Sequence, residues 1–236
     1  MTPKKDKLNL LIMFVIVIIA GGGMLIWGQY NTGKQVFDIG FQRNTVTEQL
    51  ETDESWAKSA EEEALYEKVL REGKSWSENT KKRQGVYNAR TASDLYGKSE
   101  PQDISYEYFD NDSETTVILL HAYNETKEDS FVFAPYWWEK GFNILVPDMR
   151  GHSETGGITA FGCYEQYDLL DLIRHEGLSG EGRKLIVHGK GMGAAAALLL
   201  AGNSKCSDEA SIDFIVSDNV YSNLKELELK QLKQQY

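Results

Sequence analysis

Polar and apolar positions along the chain divide it into three stretches of different character. From Leu8 to Trp27 the residues are apolar apart from Asn9 and the small glycines. That is about the twenty residues a helix needs to cross a bilayer. Lys4, Lys5 and Lys7 precede the run and Lys34 follows it. The excess of positive charge on the N-terminal side predicts a cytoplasmic N-terminus, with the remainder extracytoplasmic. The alternative is a cleaved leader, with Ala20 and Gly22 as small residues at the cleavage site. In both cases the rest of the chain is exported. The anchored form predicts a cell-membrane protein, with the membrane as its partner through this helix.

Residues 47–72 carry a helical pattern in which Trp56, Ala60, Ala64, Leu65 and Val69 supply the apolar face and Gly73 the C-terminal cap. The expected helix forms a stalk or lies against the domain that follows. Residues 74–100 are polar and turn-rich and predict a loop with short strands. From residue 103 strands and helices alternate. "ISYEYF" alternates like a strand, and "TTVILLH" has the continuous apolar character of a strand buried on both faces. A helix over 127–140 follows, with Phe131, Phe133, Tyr136 and Trp137 as core. Next come the strand "FNILVPD", a helix from Tyr164 to Glu176, the strand "KLIVHG", a helix from Ala194 to Ala201, the strand "IDFIVSD" and a last helix from Tyr221 to Gln235. This order predicts an α/β domain with a mostly parallel sheet and right-handed crossovers. The expected organisation is a membrane anchor over 1–30, a helical stalk or linker over 31–84 and the α/β domain over 85–236.

Charge and cysteine usage narrow the function classes. A net charge of -11 opposes phosphate binding, so nucleic acid is not an expected partner. Cys163 and Cys206 are far apart and lack the paired spacing of a structural zinc site, so no metal is expected. Two free, partly buried thiols are expected, with a single disulfide as the alternative outside the cell.

In an open parallel sheet, chemistry sits at the C-terminal ends of the strands. Three such ends stand out: "HAYNET" at 121–126, "PDMRGHSET" at 147–155 and "HGKGMG" at 188–193. Together they resemble the α/β-hydrolase family, in the order found in its bacterial membrane-anchored members, over about residues 85–236. The resemblance implies an oxyanion loop at "HAYN", with Ala122 in place of a glycine, and backbone donors from Tyr123 and Met192. It aligns Gly189-Lys190-Gly191-Met192-Gly193 with the elbow "GxSxG". Gly189 and Gly193 fit the strained turn, but Gly191 falls on the nucleophilic serine and has no side chain to attack a carbonyl. The segment holding Asp148 and His152 is implied to shape the site, and His121 to be a hydrogen-bonded core residue. In the family's order an acid and then a histidine follow the serine. Here His121, His152, His175 and His188 all precede Gly191, and Asp218 is an acid with no histidine after it. The expectation is a C-terminally shortened, non-catalytic member that needs no cofactor, either a binding scaffold or a decaying product, whose relatives cleave ester or amide bonds.

Two alternatives stay open. A displaced nucleophile, Ser217 or Cys163, would restore hydrolysis. Gly189, Gly191 and Ala194 also fit G-x-G-x-x-[GA], with Asp218 as ribose partner of a dinucleotide. Asp218 follows Gly189 by 29 positions, longer than the usual ~20. A phosphate loop is excluded, because glycine follows Lys190 where serine or threonine is required. If "DFIVSD" lies at the sheet edge, its exposed strand predicts self-association or a covering partner.

Overall fold

The computed structural model describes residues 59–97, 100–153, 155–204, 206 and 209–222. All of them belong to one compact unit, Thr45–Tyr236. The apolar run Leu8–Trp27 and nearly all of the expected last helix lie outside the described residues. Among the described residues, no helix is long and apolar enough to cross a membrane.

The elements in chain order are α1 (Ala60–Asn79), β1 (Arg83–Ala89), α2 (Thr91–Tyr96), β2 (Gln102–Phe109), β3 (Thr115–Leu120), α3 (Lys127–Ser130), α4 (Ala134–Glu139), β4 (Asn143–Pro147), α5 (Glu165–Glu176), β5 (Lys184–Lys190), α6 (Met192–Gly202) and β6 (Phe214–Asp218). One sheet runs in the order β1-β2-β4-β3-β5-β6. The strands β4, β3, β5 and β6 are mutually parallel, while β2 is antiparallel to both of its neighbours, β1 and β4. The sheet is therefore mixed, with its parallel part where the sequence places it.

The continuous apolar run of β3 is explained by its two covered faces. Val117 and Leu119 point into a cluster with Phe109, Phe131, Ala134, Ile144 and Val146. Ile118 and Leu120 point the other way, into a larger core with Leu145, Leu185, Val187 and the inner faces of α5 and α6. Side chains alternate across a strand, so a strand with a helical layer on each side has no polar positions to spare.

Three local expectations are corrected. The helix over 47–72 does not end at Gly73, because α1 runs on to Asn79. Gly73 is buried in mid-helix, where an added Cβ would lie 2.3 Å from the Phe131 carbonyl oxygen. Its role is close approach rather than capping. The apolar stripe also shifts: Ala60, Ala64 and Leu65 are exposed, and Tyr66, Val69, Leu70, Trp76 and Ser77 face inward. Next, the helix over 127–140 is two short helices. Pro135 has no N–H for the Phe131 carbonyl four residues back, and the chain makes tighter bonds there, Phe133 N–H to Ser130 O and Ala134 N–H to Phe131 O. Finally, the expected loop with short strands over 74–100 holds one strand, β1, and a short helix, α2, that the pattern did not predict. β1 buries only Tyr87 and Ala89, too little alternation to fix its bounds from sequence.

Candidate active site

The turn between β5 and α6 places Gly191 at φ 51° and ψ -110°. That conformation is strained for any residue with a side chain, and it turns the chain sharply from strand into helix. Both flanking glycines are required by contact. A Cβ on Gly189 would lie 2.4 Å from the Ala194 nitrogen, and one on Gly193 would lie 2.5 Å from Leu120 Cβ. Gly191 is held on both sides: its N–H donates to Asp218 O at 2.8 Å, and its carbonyl accepts from Ala195 N–H at 3.0 Å. A Cβ on Gly191 would point at Ala122 and lie 3.2 Å from that methyl group.

The loop after β3 is fixed by two buried histidines. His121 Nε2 accepts the Met149 N–H at 2.9 Å, so its Nδ1 carries the proton and donates to the Ala122 carbonyl at 2.7 Å. His152 repeats the arrangement, with Nε2 accepting the Asn124 N–H at 3.2 Å and Nδ1 donating to the Arg150 carbonyl at 2.9 Å. The two rings are 4.9 Å apart. Burial, reinforced by the neighbouring His152, pushes the His121 imidazole down to about 4. Both rings are spacers between the loops after β3 and β4, and neither is a base.

Asp148 is fully buried and is likewise structural. It accepts the Lys127 N–H at 2.9 Å and the Ser105 hydroxyl at 3.2 Å, and it pairs with the Lys127 ammonium. Behind it, Arg150 and Asp168 form a buried two-pronged ion pair.

Tyr123 and Met192 immediately follow Ala122 and Gly191. Among the described residues, neither of their backbone N–H groups has an acceptor. The Tyr123 ring leans on Phe161 and His152. Lys190 turns away from the cleft to pair with Glu125, whose Oε2 accepts the Ala122 N–H at 3.0 Å. The pair lies against helix α1, with the Lys190 ammonium 5.4 Å from the centre of the Tyr66 ring. Sequence reading missed Glu125 and Tyr66. The first carries a weak local signal, three residues beyond the amide it caps; the second carries none, since only the fold brings α1 to the elbow.

Among the remaining candidates, Asp218 meets the elbow through its backbone carbonyl. His175 is exposed, and His188 accepts a hydrogen bond from Trp137 Nε1 at 3.1 Å, with burial lowering its pKa. Trp138 packs edge-on against Trp76. Cys163 is exposed rather than partly buried, and its thiol is pushed up by surrounding atoms and by the Glu165 carboxylate, the opposite of activation. Cys206 is buried. Ser217 and Asp218 are exposed on β6, opposite Gly189 and Lys190. For a dinucleotide, the second glycine must leave its backbone open to phosphate, and here the Ala122 methyl closes on Gly191. Among the described residues, no group of three or more His, Cys, Asp or Glu side chains could hold a metal ion. The arrangement can present backbone donors to an oxygen atom, and the Gly191 beside them offers no side chain to attack.

No family model matches the chain. A protein of Bacillus subtilis (strain 168), described as "Uncharacterized protein YqkD", is 32% identical over 139 residues, which cover 56% of this chain and 43% of that protein. The Pyrococcus furiosus esterase Pf2001 superposes with a TM-score of 0.53 at 22% identity, covering 65% of this chain and 58% of the esterase. A second crystal form of the same esterase gives 0.54 at 21%, covering 67% and 56%. The chain thus spans less than half of its curated relative and somewhat over half of the esterase. At these identities the likeness establishes the fold, which is that of the α/β-hydrolases.

Proposed function

We propose that this chain is a membrane-anchored, extracytoplasmic protein of α/β-hydrolase type whose elbow binds without cleaving. The observation that carries the reading is Gly191. The turn keeps the strained backbone that presents a nucleophile in hydrolases of this fold, and the residue at its apex has no side chain. Tyr123 and Met192 remain as backbone donors next to it, suited to a carbonyl or carboxylate oxygen. Two donors without a nucleophile stabilise an oxygen but start no acyl transfer. The buried, neutral state of His121 and the raised Cys163 thiol support the same reading. The apolar run Leu8–Trp27 and the lysines before it support the anchor.

The test is labelling of the full chain, in detergent, with a fluorophosphonate probe, alongside hydrolysis of p-nitrophenyl acetate. The expected result is no label and no turnover above the rate with heat-denatured protein. Labelling that disappears in Ser217→Ala, or ester turnover that disappears in Cys163→Ala, would overturn the reading in favour of a displaced nucleophile.

A further inference from the structure

Helix α1 meets the rest of the domain through two unequal halves. Its C-terminal half is docked: Gly73 abuts the Phe131 backbone, Trp76 packs on Phe109 with rings 4.6 Å apart, and Lys74 pairs with Glu128 at 3.0 Å. Between Ala60 and Lys68, every residue is exposed except Tyr66. This half begins with a cap, a reciprocal pair of bonds between Ser59 and Glu62.

Tyr66 reaches the Lys190 ammonium, Lys190 pairs with Glu125, and Glu125 accepts the Ala122 N–H. The contacts form a continuous line from the N-terminal half of α1 to the loop beside the elbow. Burial opposes the charge on Lys190, but the Glu125 carboxylate outweighs it and raises the Lys190 pKa, so the ammonium is retained. The Tyr66 ring lies beside that ion pair, its centre 5.4 Å from the ammonium. Excluding water from an ion pair strengthens it, and an ammonium over an aromatic face is itself attractive.

We propose that residues 60–68 form an arm, separable from the docked half of α1, and that Tyr66 on this arm clamps the Lys190–Glu125 pair and through it orders the loop 121–126. A displacement of the arm then changes the order of the loop without touching the sheet. The inference holds whether or not the elbow reacts.

Hydrogen–deuterium exchange on the full chain in lipid nanodiscs tests the linkage in both directions. In Tyr66→Ala, the amides of Tyr123 to Thr126 are expected to exchange about fivefold faster. In Lys190→Met, which keeps an apolar stem but no charge, the amides of Glu63 to Lys68 are expected to speed up by a similar factor, because coupling between two sites is reciprocal. Leu65→Ala, an exposed change one residue away, is expected to alter neither. The proposal fails if Tyr66→Ala speeds up the arm alone while the loop is unchanged. It also fails if arm, loop and the amides of β3 and β5 all speed up together, since the arm would then not be separable from the fold. Should Tyr66→Ala not fold, Lys190→Met decides alone: an unchanged arm overturns the proposal.

Discussion

The methyl group of Ala122 occupies the space into which a side chain on Gly191 would point, with 3.2 Å between the two Cβ positions. Real Cβ contacts are seldom that close, so the two residues form an interlocked pair in which a larger group at one position requires a smaller one at the other. Gly191→Ser is expected to destabilise the domain by about 2 kcal/mol, from its left-handed backbone and from crowding. Adding Ala122→Gly is expected to recover part of that loss, giving a coupling of ~1 kcal/mol in a double-mutant cycle measured by urea denaturation. Strict additivity would show that the contact relaxes at no cost.

The buried imidazole of His121 makes stability depend on pH. His121 is neutral when folded, and its pKa is depressed from 6.5 to about 4 by burial and by His152. Between those values the unfolded chain binds the extra proton and the folded chain does not, so stability falls as pH drops from 6.5 toward 4. The loss from this group amounts to roughly 3 kcal/mol. Urea midpoints at successive pH values are expected to fall over that window in the native protein and to fall less in His121→Gln. A proton-detected titration placing the His121 midpoint near 6.5 would contradict the assignment.

Gly73 and Gly202 provide a contrast between two helical glycines. A Cβ on Gly73 meets the Phe131 carbonyl, whereas a Cβ on Gly202 meets nothing within 4 Å. Alanine is the better helix former at both sites by up to ~1 kcal/mol. Gly73→Ala is nevertheless expected to lower the Tm by several degrees as α1 is pushed off Phe131, while Gly202→Ala leaves it unchanged or slightly raised. Equal shifts in thermal melts would mean that the close approach carries no stability.

The ion pair behind the cleft is buried at both ends, with Arg150 and Asp168 almost fully excluded from solvent. Arg150→Met strands a carboxylate in the interior and is expected to cost about 3–5 kcal/mol. The double change Arg150→Met with Asp168→Leu, which removes both charges, is expected to recover most of that loss in chemical denaturation.

The parallel half of the fold was legible because β3, β4 and β5 are covered on both faces and their apolar runs have no competing explanation. The elbow was legible for a different reason: Gly189 and Gly193 are fixed by backbone contacts that leave a spacing in the sequence. In the antiparallel part β2 was legible from its alternation, but the bounds of β1 were not. In β1, Gly85 sits mid-strand because the Tyr106 ring fills the place of its side chain, and a glycine among polar residues does not mark where a strand begins or ends. The extent of α1 was misread for the same reason, since Gly73 looks like a cap until Phe131 is seen beside it. The clamp of Tyr66, Lys190 and Glu125 joins residues more than fifty positions apart, and no local pattern announces such a contact.

The docking of α1 at Gly73 has a mechanical consequence. Thirteen residue steps separate Gly73 from Ala60, and at 1.5 Å per residue they make a lever of about 20 Å. A rotation of only ~10° about Gly73 would carry the tip about 3.5 Å sideways, and Tyr66, a little past half-way along, would move by about 2 Å. Such a displacement is a large fraction of the 5.4 Å between Tyr66 and Lys190. An arm of this length would turn small angular changes near Gly73 into larger linear ones toward Ala60, with Tyr66 and its contact to Lys190 moving by about half as much.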